Sequence, residues 1–374
     1  MKLELIATTA FGLEAVVRRE IEQLGFKIAA GEDGRVTYVA NESGIVRSNL
    51  WLRSADRVLL KMGEFDVRTF EDMFQGMRGI DWEMLIPEDG HFVVNCTSIK
   101  SQLSSVPACQ SVAEKALVAR LQETYGPNRF AKTGAKYDIK IRILKDRACV
   151  TVDTSGIGLH KRGYRTKNVT APIKETLAAA MVQLSFWKTG RLLVDPFCGS
   201  GTIPIEAAMI GRNIAPGFHR KFISEDWPFI SANVWKTERA NAAAQIDRSA
   251  DISIFASDKD MAAIAAAREN AANADVGDCI HFEQKEFREF AATESHGIVI
   301  CNPPYGERVG ERAEMELVYG EIGEFFRQNP TWSLYLITTD KEFETKAFGR
   351  PADRRRKLYN GRLETTYYQY YGEK

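Results

Sequence analysis

Apolar positions along the chain follow two periods, one of two residues and one near ~3.6. Leu3–Thr8 alternates as a strand. Residues 11–24 then carry Leu13, Val16, Val17, Ile21 and Leu24 at helical spacing, with Gly25 where such a helix should stop. Residues 36–39 read as a strand and Glu42–Trp51 as a helix, an alternation that suits a small α+β sandwich over residues 1–60. A second small unit is expected over 61–155. It holds a helix at 69–76, a β-rich run at 92–97 and a helix at 111–123 with apolar Val112, Ala116, Leu117, Val118 and Leu121. Strands at 137–144 and 148–153 follow around a turn.

Residues 156–175 change character. The run from Gly156 to Arg165 is rich in glycine and positive charge and reads as a linker. Beyond it, helices at 175–187, 205–210, Met261–Asn273 and 317–328 alternate with apolar strands at 191–194, 252–257, Ile298–Cys301 and 332–338. Wholly apolar strands alternating with helices predict a parallel sheet covered on both faces, the doubly wound α/β class, over 165–374.

Composition changes this picture little. The 374 residues allow two or three domains, and the formal net charge is zero. Any nucleic-acid contact must therefore come from local patches. Cys96, Cys109, Cys149, Cys198, Cys279 and Cys301 form no CxxC pair, so neither a metal site nor a disulfide framework is expected. No apolar run approaches membrane-spanning length and no leader pattern opens the chain, so a cytoplasmic protein is expected.

Three constellations carry chemistry. The first is Asp195, Pro196, Phe197, Cys198, Gly199, Ser200, Gly201 and Thr202, where a strand ends and a helix begins. Its glycines let the backbone approach a ligand closely, although a plain tight turn uses the same residues. The Lys-Ser/Thr pair of a P-loop is missing. The second is Asp258, at the end of the next strand, which can hold a ribose or cap the following helix. The third is Asn302, Pro303, Pro304 and Tyr305 after an apolar strand. The prolines remove two backbone donors and stiffen the loop. Carbonyl oxygens at Asn302 and Pro303 can then accept N–H bonds from an amino group, and Tyr305 offers a face to a flipped base.

In this order the three constellations resemble the motifs of amino-directed class I methyltransferases. Leu159 to Arg165, Ala171 to Leu177 and Asn213 to Phe218 narrow the likeness. The whole chain resembles the bacterial THUMP-domain RNA methyltransferases related to the N-terminal part of RlmL, which methylates guanine N2 in large-subunit ribosomal RNA. Some relatives bear N6-DNA-methyltransferase labels. The resemblance implies a Rossmann-like methyltransferase domain preceded by ferredoxin-like and THUMP domains. It implies S-adenosyl-L-methionine as cofactor, held by Asp195 to Thr202, Asp258, Glu286, Phe287 and Asn302. Residues Thr170 to Lys174 would close over the methionine end. Large-subunit ribosomal RNA or its precursor is the implied partner.

Cys198 and Cys301 raise the covalent chemistry of pyrimidine methylation, but their places in a cofactor loop and a buried strand read as packing. Two basic clusters are candidate RNA contacts: Lys161, Arg162, Arg165 and Lys167 in the linker, and Arg354, Arg355 and Arg356 near the C-terminal end. A solvated face would explain either equally well. His160 and His219 lack metal-ligand spacing. Two other functions stay open: an N6-adenine DNA methyltransferase, and an RNA-binding assembly factor without activity.

Overall fold

The computed structural model describes residues 1–127, 130–166, 173–305 and 311–374. Its first half is built on one sheet. The elements are β1 (Leu3–Thr8), α1 (Glu14–Gln23), β2 (Lys27–Glu32), β3 (Arg35–Ala40), α2 (Glu42–Trp51), β4 (Arg57–Asp66), α3 (Phe70–Arg78), β5 (His91–Ile99), α4 (Val106–Tyr125), β6 (Lys136–Leu144) and β7 (Arg147–Asp153). The strand order is β2-β3-β1-β4-β7-β6-β5, with only β5 and β6 parallel. β4 joins the two small units: Leu60 faces Leu5 of β1 on one side and Val152 of β7 on the other. The expected break at residues 60 and 61 thus falls inside a strand, and the units share a single sheet.

Period-two burial explains these strands. In β6, Tyr137, Ile139, Ile141 and Ile143 are buried while the residues between them are not. β2 was not foreseen because nearly all of it is exposed. It exists through its ladder with β3, whose register shifts between Ile28 and Ala30.

The second half contains α5 (Glu175–Leu184), β8 (Leu193–Asp195), α6 (Thr202–Gly211), α7 (Ala232–Ala244), β9 (Ile254–Asp258), α8 (Met261–Asn273), β10 (Ile280–Gln284), β11 (Ile298–Cys301), α9 (Glu311–Gln328), β12 (Ser333–Thr338), α10 (Phe343–Ala347), β13 (Arg354–Asn360) and β14 (Leu363–Tyr370). The sheet order is β10-β9-β8-β11-β12-β14-β13. The first five strands are parallel and the last two antiparallel. All residues of β11 and β12 are buried, as strands covered on both faces require. The order reverses between β8 and β11, the switch point at which such sheets bind ligands beyond their carboxyl ends.

The halves interlock. Leu13, the N-cap of α1, and Val16 of α1 belong to the core of the second sheet, with Leu177, Leu358 and Tyr367. In return the segment before α7 sends Trp227 into the core of the first sheet. Its ring stacks on Tyr137 at 5.0 Å, and its Nε1–H donates to the Lys136 carbonyl at 2.9 Å.

Candidate active site

Four adjacent parallel strands deliver the candidate cofactor residues to one edge. Asp195 ends β8, Asp258 ends β9, Glu286 and Phe287 follow β10, and Asn302 follows β11. The loop after β8 is tied down on three sides. The Cys198 N–H donates to the Ser257 carbonyl at 2.9 Å. The Gly199 N–H donates to Asp258 Oδ2 at 2.9 Å. Asn270 of α8 donates to the Ser200 carbonyl at 3.0 Å. Gly201 has φ +81°, and a Cβ there would stand 3.0 Å from Ala267 of α8, so both backbone and packing call for glycine. Thr202 then begins α6.

Asp258 does not cap α8. That role belongs to Asp260, whose side chain accepts from the Ala262 N–H at 2.9 Å. Asp258 instead accepts from Gly199 and, at 3.0 Å, from the Asp260 N–H. Asp195 is 1% exposed and accepts from the Phe197 N–H at 3.2 Å. Burial, and then the neighbouring Asp258 charge, push its carboxyl well above the usual range. The Ser257 Oγ beside them is buried without a partner. Two carboxylates and an orphaned hydroxyl at this edge suit a cationic, polyhydroxylated ligand. Phe287 stacks on Phe197 at 5.9 Å, and Glu286 pairs with Arg288 at 2.8 Å.

The Asn302 loop differs in detail from expectation. The Tyr305 hydroxyl donates to Asn302 Oδ1 at 2.7 Å, and Asn360 Nδ2 donates to the Tyr305 hydroxyl at 3.3 Å. The asparagine oxygen that should accept an amine is thus held by the tyrosine that should stack on the base. Asn360 carries no motif in the sequence, and only the return of β13 brings it here. Pro303 is buried and Pro304 exposed. Burial pushes the Cys198 and Cys301 thiols well above their ordinary value, which suits packing and leaves no ready thiolate.

The linker cluster requires correction. Arg162 is 3% exposed and unavailable to phosphate. It pairs with buried Glu206 of α6 at 3.3 Å and donates to the Leu159 carbonyl at 2.7 Å, while Tyr164 donates to the same Glu206 at 3.2 Å. Arg165 also turns inward, to Thr202 Oγ1 at 2.6 Å and to Glu175 at 3.5 Å. These arginines clamp the linker to the cofactor-loop helix. Lys161 is exposed, and Lys167 and Thr170 lie outside the described residues. Strand alternation splits the second cluster. Arg355 pairs with Glu344 at 2.6 Å, whereas Arg354 and Arg356 share the opposite face with Leu358.

Comparison with known proteins agrees with this architecture. Residues 4–59 match the RlmL ferredoxin-like domain, 67–153 the THUMP domain, and 162–369 the RMKL-like methyltransferase domain. The chain is 46% identical over all its 374 residues to YpsC of Bacillus subtilis, whose name assigns it provisionally to the RNA methyltransferases, and covers 97% of that protein. It is 33% identical, over 96% of its length, to the ribosomal RNA large subunit methyltransferase K/L of Photobacterium profundum. It spans 52% of that longer protein. The crystal structure of SMU.472, described provisionally as a methyltransferase and solved with SAH, superposes with a TM-score of 0.95. Its identity is 43%, covering 100% of this chain and 99% of the other.

Proposed function

The chain belongs to the RlmL-related family of THUMP-domain RNA methyltransferases, and from that premise we propose that it methylates the exocyclic N2 of a guanine in large-subunit ribosomal RNA. The observation that carries this reading is the meeting of Asp195, Asp258 and Asn302 at neighbouring strand ends, in a chain that matches nearly its whole length to the K/L relative. S-adenosylmethionine is the cofactor and supplies a methyl group on a sulfonium.

Asp258 would accept the ribose hydroxyls, and Glu286 with the Phe287 main chain would meet the adenine. Asp195, with Phe197 to Thr202, would line the amino-acid end. Asn302 Oδ1 and the Pro303 carbonyl would accept the N–H bonds of the target amine. That favours a more tetrahedral nitrogen and stabilises the positive charge that develops on it. No strong base is needed, because the methylated ammonium is itself acidic. Orientation supplies most of the rate, so the stiff Pro303–Pro304 backbone is part of the chemistry. Residues 1–155 would recruit RNA and 165–374 transfer the methyl group.

The test is single-turnover transfer of labelled methyl to ribosomal RNA, followed by digestion to nucleosides. Asn302→Ala should slow transfer by roughly 100-fold or more, the range for losing one preorganised polar contact. Tyr305→Phe keeps the ring and frees Asn302 Oδ1, so it should retain most activity. N2-methylguanosine as product supports the reading. N6-methyladenine from a DNA substrate would replace the substrate assignment, and wild-type rates for Asn302→Ala would remove the mechanism.

A further inference from the structure

The loop before α1 meets the outer edge of the second sheet beside the Asn302 loop. A Cβ on Gly12 would stand 2.6 Å from the Lys357 carbonyl and 3.2 Å from Leu358, and Gly12 has φ +89°. This close approach sets Phe11 edge-on against Tyr359, on the Arg355 and Lys357 side of β13, with ring centroids 6.2 Å apart. One residue further on, Asn360 holds the Tyr305 hydroxyl. In the other direction along β13, Arg356 and Arg354 face the side on which α1 packs.

Charge makes this edge unusual. Arg355 and Lys357, on the opposite side of β13, have carboxylate partners in Glu344 and Glu364. Among the described residues, no carboxylate lies within ion-pair distance of Arg354, Arg356 or Arg19 of α1. The Arg356 Nε is buried without a hydrogen-bond partner. Burial, and then the charges of Arg354 and Arg19, lower its pKa. In a chain of zero net charge such a gathering is local and specific.

We propose that α1 and β13 together bind the backbone of the RNA strand flanking the target base, with its phosphates at Arg19, Arg354 and Arg356. This rests on the RNA methyltransferase reading and adds a composite subsite to which both halves of the molecule contribute. From Asn360, on the same face of β13, to Arg354 the strand advances roughly 20 Å at ~3.3 Å per residue, the span of a few nucleotides. A guanidinium takes any phosphate, so the subsite positions the strand without reading its sequence. The Asn360–Tyr305 contact ties its inner end to the loop that receives the target base.

The test is binding of a fluorescein-labelled oligouridylate to the full-length protein without cofactor, followed by anisotropy over a salt series. Arg354→Ala/Arg356→Ala should weaken binding about tenfold or more. It should lower the slope of log affinity against log salt by about 1.4, for two single-strand phosphate contacts. Arg248→Ala/Arg327→Ala removes the same charge elsewhere and should change affinity less than twofold. Equal losses in the two double variants, or an unchanged slope in Arg354→Ala/Arg356→Ala, would overturn the subsite. Because no methyl transfer is measured, a failed methylation assay leaves this result standing, and the reverse holds.

Discussion

Asp195 is the residue at which stability and the proposed function pull apart. Its carboxyl is buried beside Asp258 and titrates well above the ordinary range. A carboxyl whose folded pKa is raised stabilises the folded state below the unfolded value, and that stability is lost as pH rises through the folded value. At neutral pH the empty protein therefore carries a penalty that a cationic ligand would offset. Asp195→Asn should raise the Tm of the free protein at neutral pH, with the gain shrinking towards about pH 4, and should weaken S-adenosylmethionine binding in calorimetry. A lowered Tm at neutral pH would show that the carboxylate is not strained there. Arg162 teaches the opposite lesson. Its charge and glycine-rich surroundings suggested phosphate, but Glu206 and the Leu159 carbonyl claim it. A basic residue in a linker is ambiguous until its carboxylate partner, 44 positions away, is in view.

Among elements, the segment leading into α7 shows how a connection can act as a fastener. Trp227 is 1% exposed, stacks on Tyr137 and donates to Lys136, so it welds the catalytic half to β6. Trp227→Ala should destabilise the protein by about 3–5 kcal/mol, the range for removing a large buried aromatic side chain. Denaturant midpoints for wild type and variant give the value, and a loss under about 1 kcal/mol would mean that the interface repacks freely. The elements with clear apolar periods were legible: Met261–Asn273 and Ile298–Cys301 have the bounds their patterns imply. β2, α7, β10 and the β13–β14 hairpin were not. Edge strands and surface helices keep few apolar positions, and their pairing partners lie elsewhere in the chain.

For the whole molecule, the shared cores matter most. Leu13 and Val16 pack in the catalytic core, and Trp227 packs in the front core. The two sheets should therefore unfold together. Calorimetry of the full chain should give one transition whose van't Hoff and calorimetric enthalpies agree. Two resolved transitions would mean that the halves are thermodynamically separate. The same interlocking means that removing residues 1–155 strips apolar cover from the catalytic core. Loss of activity in such a truncation would therefore mix lost recruitment with lost stability, which single surface substitutions avoid.

The candidate site was readable from the chain alone because its residues sit in local motifs. Asp195 to Thr202, Asp258 and Asn302 to Tyr305 each end an apolar strand, and a strand end is visible in sequence as a change from apolar to polar or glycine. The doubly wound class followed from the same alternation. Tertiary structure alone decided which of these residues face one another and what they do when the site is empty. It seated the Tyr305 hydroxyl on Asn302, gave the cap of α8 to Asp260, and joined the two front units through β4. It also sorted the basic residues. Side chains on a strand alternate between faces, so neighbours in the run from Arg354 to Arg356 part company, while Arg19 joins the unpaired pair from across the molecule. Local pattern carries backbone conformation, because φ and ψ are set largely by near neighbours. Charge pairing and burial depend on contacts between distant residues, and those exist only once the chain has folded.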